Sequence, residues 1–185
     1  MISKRLEPIA PEAMTPAQRL VADALIAGPR GAVRGPFPAL LRRPELADAA
    51  RAMGDCIRAT NSLALPLREI AILTVARHWG ASYEWGAHVK IAREIGMDMD
   101  VIETIKVGQR PSNAEGGQLL VYDFCAGMLE DHDIAADLYA QALAHFGEAG
   151  IVDLIGLIGY FSFACMIFNL TRMPPNDPAD ELASF

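Results

Sequence analysis

The run from Ile151 to Leu170 constrains this chain more than any other segment. It is apolar except for Asp153, Asn169 and a few small polar residues. Its length approaches the roughly 20 residues that span a bilayer. Asp153 lies within it, however, Gly156 and Gly159 loosen it, and no basic flank anchors its start. It therefore reads as the buried core helix of a globular protein rather than as a membrane span.

The rest of the chain reads as helix and loop. Thr15-Pro16-Ala17-Gln18 is a helix start: Thr15 caps, Pro16 suits the first helical position and Gln18 completes a capping box. That helix runs to about Ala27. Gly28-Pro29-Arg30-Gly31 and Gly35-Pro36-Phe37-Pro38 then keep the chain irregular. These glycines follow no strand and lack a Gly-Lys-Ser/Thr ending, so they suggest a structural loop that forms one wall of a pocket rather than a phosphate-binding loop. Pro44 opens a helix to about Thr60, with Leu46, Ala49, Ala50, Met53 and Ile57 at helical spacing. Pro66 opens another, Leu67 to Trp79, which Gly80 stops. Ser82 is placed to cap the next, which ends at Ile95 before Gly96. Asp98 or Asp100 caps a short helix ending near Gly108. Helices over Ala114–Asp131, Ile134–Phe146 and Ile151–Leu170 complete the set, and the proline-rich tail from Pro174 to Phe185 should be extended. No segment alternates with period two, so no strand is expected. The prediction is one all-α domain over residues 1–185, a bundle of about seven helices. Residues 14–43 form its first helix and Gly/Pro-rich loop, and residues 174–185 its tail.

Composition narrows the function. The chain is 52% hydrophobic and only 21% charged, which is apolar for a monomer of 185 residues, so burial between subunits is expected. A net charge of −7 provides no basic footprint for nucleic acid. Cys56, Cys125 and Cys165 are far apart and form no C-x-x-C, which suits reduced thiols in the cytoplasm. The first residues contain no continuous apolar stretch of the kind a signal peptide needs.

One segment carries chemistry. Glu84 and His88 are four residues apart, which on a helix places them on one face. A carboxylate beside an imidazole stabilises the imidazolium and orients the ring, making a general acid/base pair. Glu69 lies near the start of the preceding helix, and the break at Gly80–Ala81 lets the two helices fold together. Periodicity does not decide whether Glu69 meets the pair. A Glu/His pair at this spacing is also common on exposed helix faces, where it contributes only a few tenths of a kcal/mol. Tyr83 and Trp85 flank Glu84 and make such a face less apt, although both also suit a core or an interface. His78, His132 and His145 have no comparable arrangement and read as surface or structural residues.

The run from Leu67 to Gly96, with Arg68-Glu69, Tyr83-Glu84-Trp85 and His88, resembles the carboxymuconolactone decarboxylase family, related to the alkylhydroperoxidase D-like proteins. The likeness extends to Gly28-Pro29-Arg30-Gly31 with Gly35-Pro36-Phe37, to Phe146-Gly147-Glu148, and to Gly159-Tyr160 and Asn169, and so covers nearly the whole chain. The peroxidase branch pairs a glutamate and a histidine with a C-x-x-C. Glu69 and His88 match the first two, but the cysteine positions fall on Ala81 and Glu84. In that sense the chain resembles a cysteine-less member, and disulfide-based peroxide reduction loses both its thiols. Glu84 and His88 fit the decarboxylase branch.

That resemblance implies a cofactor-free homo-oligomer, trimeric or hexameric, acting on a small carboxylated lactone or a related product of aromatic-compound degradation. Catalytic roles would fall to His88 as proton donor or acceptor, Glu84 as its partner and Glu69 as a relay. An arginine should bind the substrate carboxylate. Arg77, Arg58 and Arg30 are candidates, with Tyr83 and Trp85 as further substrate contacts. Two other readings compete. Glu84, His88 and Glu69 have the mixed oxygen and nitrogen donors of a metal site, but no H-E-x-x-H motif supports one and no metal is expected. A non-catalytic oligomeric binding protein would keep the fold alone. No nucleic-acid or membrane partner is expected.

Overall fold

A computed structural model describes residues 5–183. Among these the chain is all-helical, without strands. The ends of the ranges given above, residues 1–4 and 184–185, lie outside the described residues. Helix α1, Pro16–Ala27, begins with the expected capping box. The Thr15 hydroxyl accepts from the Gln18 amide at 3.3 Å, and the Gln18 side chain accepts from the Thr15 amide at 2.9 Å. The following loop is interrupted by a single helical turn, α2, Phe37–Leu40, where only irregular chain was expected. Phe37 supplies the reason: its ring is wholly buried and pins the turn to the neighbouring helices.

Helix α3, Pro44–Ala59, buries a different stripe from the one its larger apolar residues suggest. Ala47, Ala50 and Gly54 face inward, while Leu46 and Met53 are exposed. Small residues face in because the helix packs closely. With α1 and α2, α3 forms one apolar cluster, centred on Leu25, Phe37 and Leu41 and closed by Phe163 and Ile167.

The second and larger cluster is built round α4, Leu65–His78. All eight residues from Glu69 to Ala76 are buried, so α4 has no solvent face to alternate with. It packs against α5, Ser82–Glu94, α6, Met99–Lys106, α7, Gly116–Ala126, and α8, Ala136–Thr171. Gly80, at φ 57°, makes the turn that folds α5 back on α4. Ser82 does not cap α5: Ala81 holds the cap position, and the Ser82 hydroxyl instead accepts the Leu182 amide at 3.0 Å. Asp98 does cap α6, accepting from the Asp100 amide at 2.9 Å.

The second half departs from the predicted boundaries in two places. The helix expected to Asp131 ends at Ala126 and continues as a π-helical turn, Gly127–Asp131, closed by His132 at φ 60°. The last two expected helices meet end to end as α8, separated only by Gly147, whose φ of 68° is non-helical. The C-terminal arm of α8 turns Leu154, Leu157, Phe161, Cys165 and Phe168 into the core and leaves Val152, Ile155, Met166 and Leu170 outside. It is long and apolar enough to cross a membrane by length and composition. The side chain of Asp153 accepts both the amide and the hydroxyl of Ser62 at 2.6 Å, tying α8 to the turn before α4. The tail is extended apart from a short 3-10 turn, Pro178–Asp180, and it lies against α5 with Asp180 and Leu182 buried.

Candidate active site

Glu69, Glu84 and His88 meet. The turn at Gly80 brings the middle of α5 level with the first turns of α4, and the His88 ring enters between two carboxylates. Nδ1 lies 2.7 Å from Glu69 Oε2, and Nε2 lies 3.5 Å from Glu84 Oε1. The side chains are 12%, 3% and 9% exposed for His88, Glu69 and Glu84, so the cluster is nearly dry. Phe161 of α8 meets the imidazole edge to face at 5.2 Å and fixes its tilt. Burial on its own pushes the His88 pKa down. Hydrogen bonding to Glu69 and Glu84, with the Coulombic attraction of both, more than offsets this and raises it to about 9. At neutral pH His88 is therefore an imidazolium. One of its N–H groups is held short by Glu69, and the other is only loosely engaged by Glu84.

Glu84 and His88 open onto a cavity of about 680 Å³ between the two apolar clusters. Its walls come from the loop after α1 and from α3, α5 and α8. Pro29, Arg30, Arg34, Gly35 and Pro36 form one side, so the Gly/Pro-rich loop is a pocket wall. Tyr83 lines the cavity and packs against Phe168 with ring centroids 4.7 Å apart. Burial, then the Glu84 charge, raises its phenol pKa, with Arg34 opposing. Glu69 and His88 also line a smaller cavity of about 260 Å³ between α3, α4, α5 and α8. Arg58 borders both spaces.

Two of the expected substrate contacts lie elsewhere. Trp85 is packed into the main core and is 1% exposed, so its ring is a packing element. Arg77 lines a separate cavity of about 200 Å³ with His78, Tyr122 and Glu130, which shares no residue with the His88 cavity. Spacing could not separate these faces, because α4 is buried all round. Among the described residues no cluster of three or more His, Cys, Asp or Glu side chains is arranged to hold a metal ion. Cys165 lies in the core behind the site. Burial, then the Glu84 charge, pushes its thiol well above the usual range.

Residue-by-residue reading missed Arg34, Gly54 and Phe168, and it gave Tyr160 no role. Signals for two of them were present. Tyr160 is a lone phenol in an apolar helix, and Gly54 sits inside a helix where glycine costs about 1 kcal/mol relative to alanine.

No protein-family model matches the chain, and no curated protein does. Solved structures do match. An alkylhydroperoxidase D core protein from Ralstonia eutropha JMP134, described as an uncharacterized peroxidase-related protein, superposes with a TM-score of 0.73 at 19% identity over 95% of each chain. A peroxidase-related protein from Silicibacter sp. TM1040 superposes with a TM-score of 0.74 at 20% identity, also over 95% of each chain. The chain is thus an all-helical protein with the alkylhydroperoxidase D-like fold.

Proposed function

We propose that the chain is a cofactor-independent acid–base lyase of the carboxymuconolactone decarboxylase type, acting on a small carboxylated lactone or a related ring-cleavage product. The observation that carries this reading is the asymmetric clamp on His88, 2.7 Å to Glu69 on one nitrogen and 3.5 Å to Glu84 on the other. In the proposed reaction the bond to the substrate carboxylate breaks, carbon dioxide leaves, and the electron pair remains as an enolate. The Nε2–H of His88 faces the larger cavity and gives its proton to that carbon. Glu69 keeps the remaining proton on Nδ1 and stabilises the imidazolium before transfer. Glu84 orients Nε2 without holding its proton so tightly that transfer fails. Solvent then reprotonates the ring.

A dithiol peroxidase reading has chemistry against it. Ala81 and Glu84 stand where the resemblance places the two cysteines, Cys125 and Cys165 are buried, and Cys56 is exposed. The outward apolar residues of α8 and the apolar composition support a homo-oligomer, which light scattering would measure.

An ultraviolet assay with carboxymuconolactone, comparing wild type with Glu84→Gln and His88→Ala, tests the reading. Turnover in wild type that both variants lose, with helicity unchanged by circular dichroism, supports it. Undiminished turnover in His88→Ala removes His88 from the mechanism. Absence of turnover or thermal shift across a panel of lactones and peroxides favours a non-catalytic binding protein.

A further inference from the structure

The chain carries a net charge of −7, yet the cavity of about 680 Å³ gathers Arg30, Arg34, Arg58 and Lys90 beside Asp55, Glu84 and Glu94. Two of these converge from distant parts of the chain. Arg30, in the loop after α1, donates from Nη2 to the Tyr160 hydroxyl at 2.9 Å. Arg58, in the last turn of α3, has its guanidinium carbon 5.7 Å from the Tyr160 ring centroid and 6.0 Å from that of Phe161. It donates from Nη1 to the Gly54 carbonyl at 2.8 Å and lines the cavity. Arg30 is held by the Phe37 ring, 4.5 Å from its guanidinium carbon. Neither arginine belongs to any of the salt bridges among the described residues. Arg30 Nε is buried without a hydrogen-bond partner. Burial, then the like charge of Arg58, lowers the Arg30 pKa, with Tyr160 and Asp55 opposing.

Two guanidinium groups gathered around one phenol, one of them with a buried N–H that has no partner, leave donors over for an anion even with Asp55 in the same cavity wall. Gly54 makes it sterically possible: a methyl group there would collide with the Tyr160 hydroxyl and approach Arg30 Nη2 to 2.9 Å. We infer that Arg30, Arg58 and Tyr160 form a carboxylate-binding subsite in the wall of the His88 cavity, distinct from the proton-transferring residues. Guanidinium forks match a planar carboxylate, and the Tyr160 hydroxyl, which accepts from Arg30, has its own proton to donate. The aromatic walls, Tyr83 and Phe168, suit a flat unsaturated or ring-bearing acid. The inference rests on the reading of this cavity as the substrate site. It adds that the clamped carboxylate is the one retained, because a cationic clamp stabilises a carboxylate and opposes its loss.

Equilibrium binding of an unreactive probe tests the subsite apart from turnover. Titration calorimetry of the full chain with benzoate should show binding, and its neutral isostere benzamide should bind far more weakly. Arg58→Met and Arg30→Met should each weaken benzoate binding about tenfold or more, the loss of one charge-assisted hydrogen bond. Arg77→Met, in the separate cavity, should leave it unchanged. Arg58 is the more open of the two arginines, so Arg58→Met decides the matter if Arg30→Met fails to fold. Benzoate that does not bind wild type, or binds Arg58→Met equally well, overturns the subsite. Inorganic phosphate binding more tightly than benzoate overturns its assignment to carboxylate. These outcomes are separable from the reaction: His88-dependent lactone turnover with Arg58-independent benzoate binding sinks the subsite alone, and Arg58-dependent binding without turnover sinks the reaction alone.

Discussion

His88 and Glu69 are joined nitrogen to oxygen at 2.7 Å across the α4–α5 hairpin, a shorter contact than His88 makes with Glu84 on its own helix. The partner that spacing could not assign is therefore the closer one. Replacing Glu69 with Gln keeps the shape and removes its charge. The His88 pKa should then fall from about 9 toward the ordinary 6.5, because burial remains while one of the two offsetting carboxylates is lost. Nuclear magnetic resonance titration of the imidazole measures this directly. A midpoint unmoved by the substitution would show that Glu69 does not hold the proton.

The same raised pKa fixes a pH dependence of stability. The folded value lies above the unfolded value of about 6.5, so the contribution is full below about pH 6.5 and is lost as pH rises through about 9. Its upper bound is about 3 kcal/mol, from the size of the shift. Urea unfolding at intervals from pH 6 to pH 10 should show wild type losing stability over that window. His88→Gln should show a flatter profile there.

Gly54→Ala sets two effects against each other. Alanine favours a helix interior by up to about 1 kcal/mol. The added methyl would clash with the Tyr160 hydroxyl and come within 2.6 Å of its ring carbon, and Tyr160 is only 4% exposed, so little room exists for it to retreat. Overpacking costs about 1–3 kcal/mol and should prevail. Denaturant midpoints should fall in the variant; a rise would mean that Tyr160 swings aside freely.

Thiol chemistry should divide the cysteines. Cys56 is exposed, while Cys125 and Cys165 are buried with thiols that burial pushes well up. Ellman's reagent should titrate Cys56 alone in the native chain and all three cysteines after denaturation. Peroxide should produce no internal disulfide. Rapid formation of one would revive a peroxidase reading.

Much of the architecture was legible from punctuation. Thr15, Pro16, Pro44, Gly80 and Asp98 each act where their backbone chemistry places them. Side-chain direction was harder to read wherever tertiary packing overrides local pattern. Gly147 breaks α8 without ending it, and α3 turns Gly54 inward where Tyr160 comes close and Ala47 and Ala50 inward against α1 and α2. The Glu84–His88 pair follows from helical spacing. The meeting of Arg30 with Tyr160 does not, because 130 residues separate them and neither lies in a local pattern that names the other.

That separation divides the molecule's chemistry by heritability. Glu69, Glu84 and His88 occupy one hairpin and travel together through any change elsewhere in the chain. The Gly/Pro-rich loop, α3 and α8 each contribute several side chains to the opposite wall, from stretches far from that hairpin in sequence. A lineage carrying this fold is free to revise the cavity lining one wall residue at a time while keeping the Glu69–His88–Glu84 cluster.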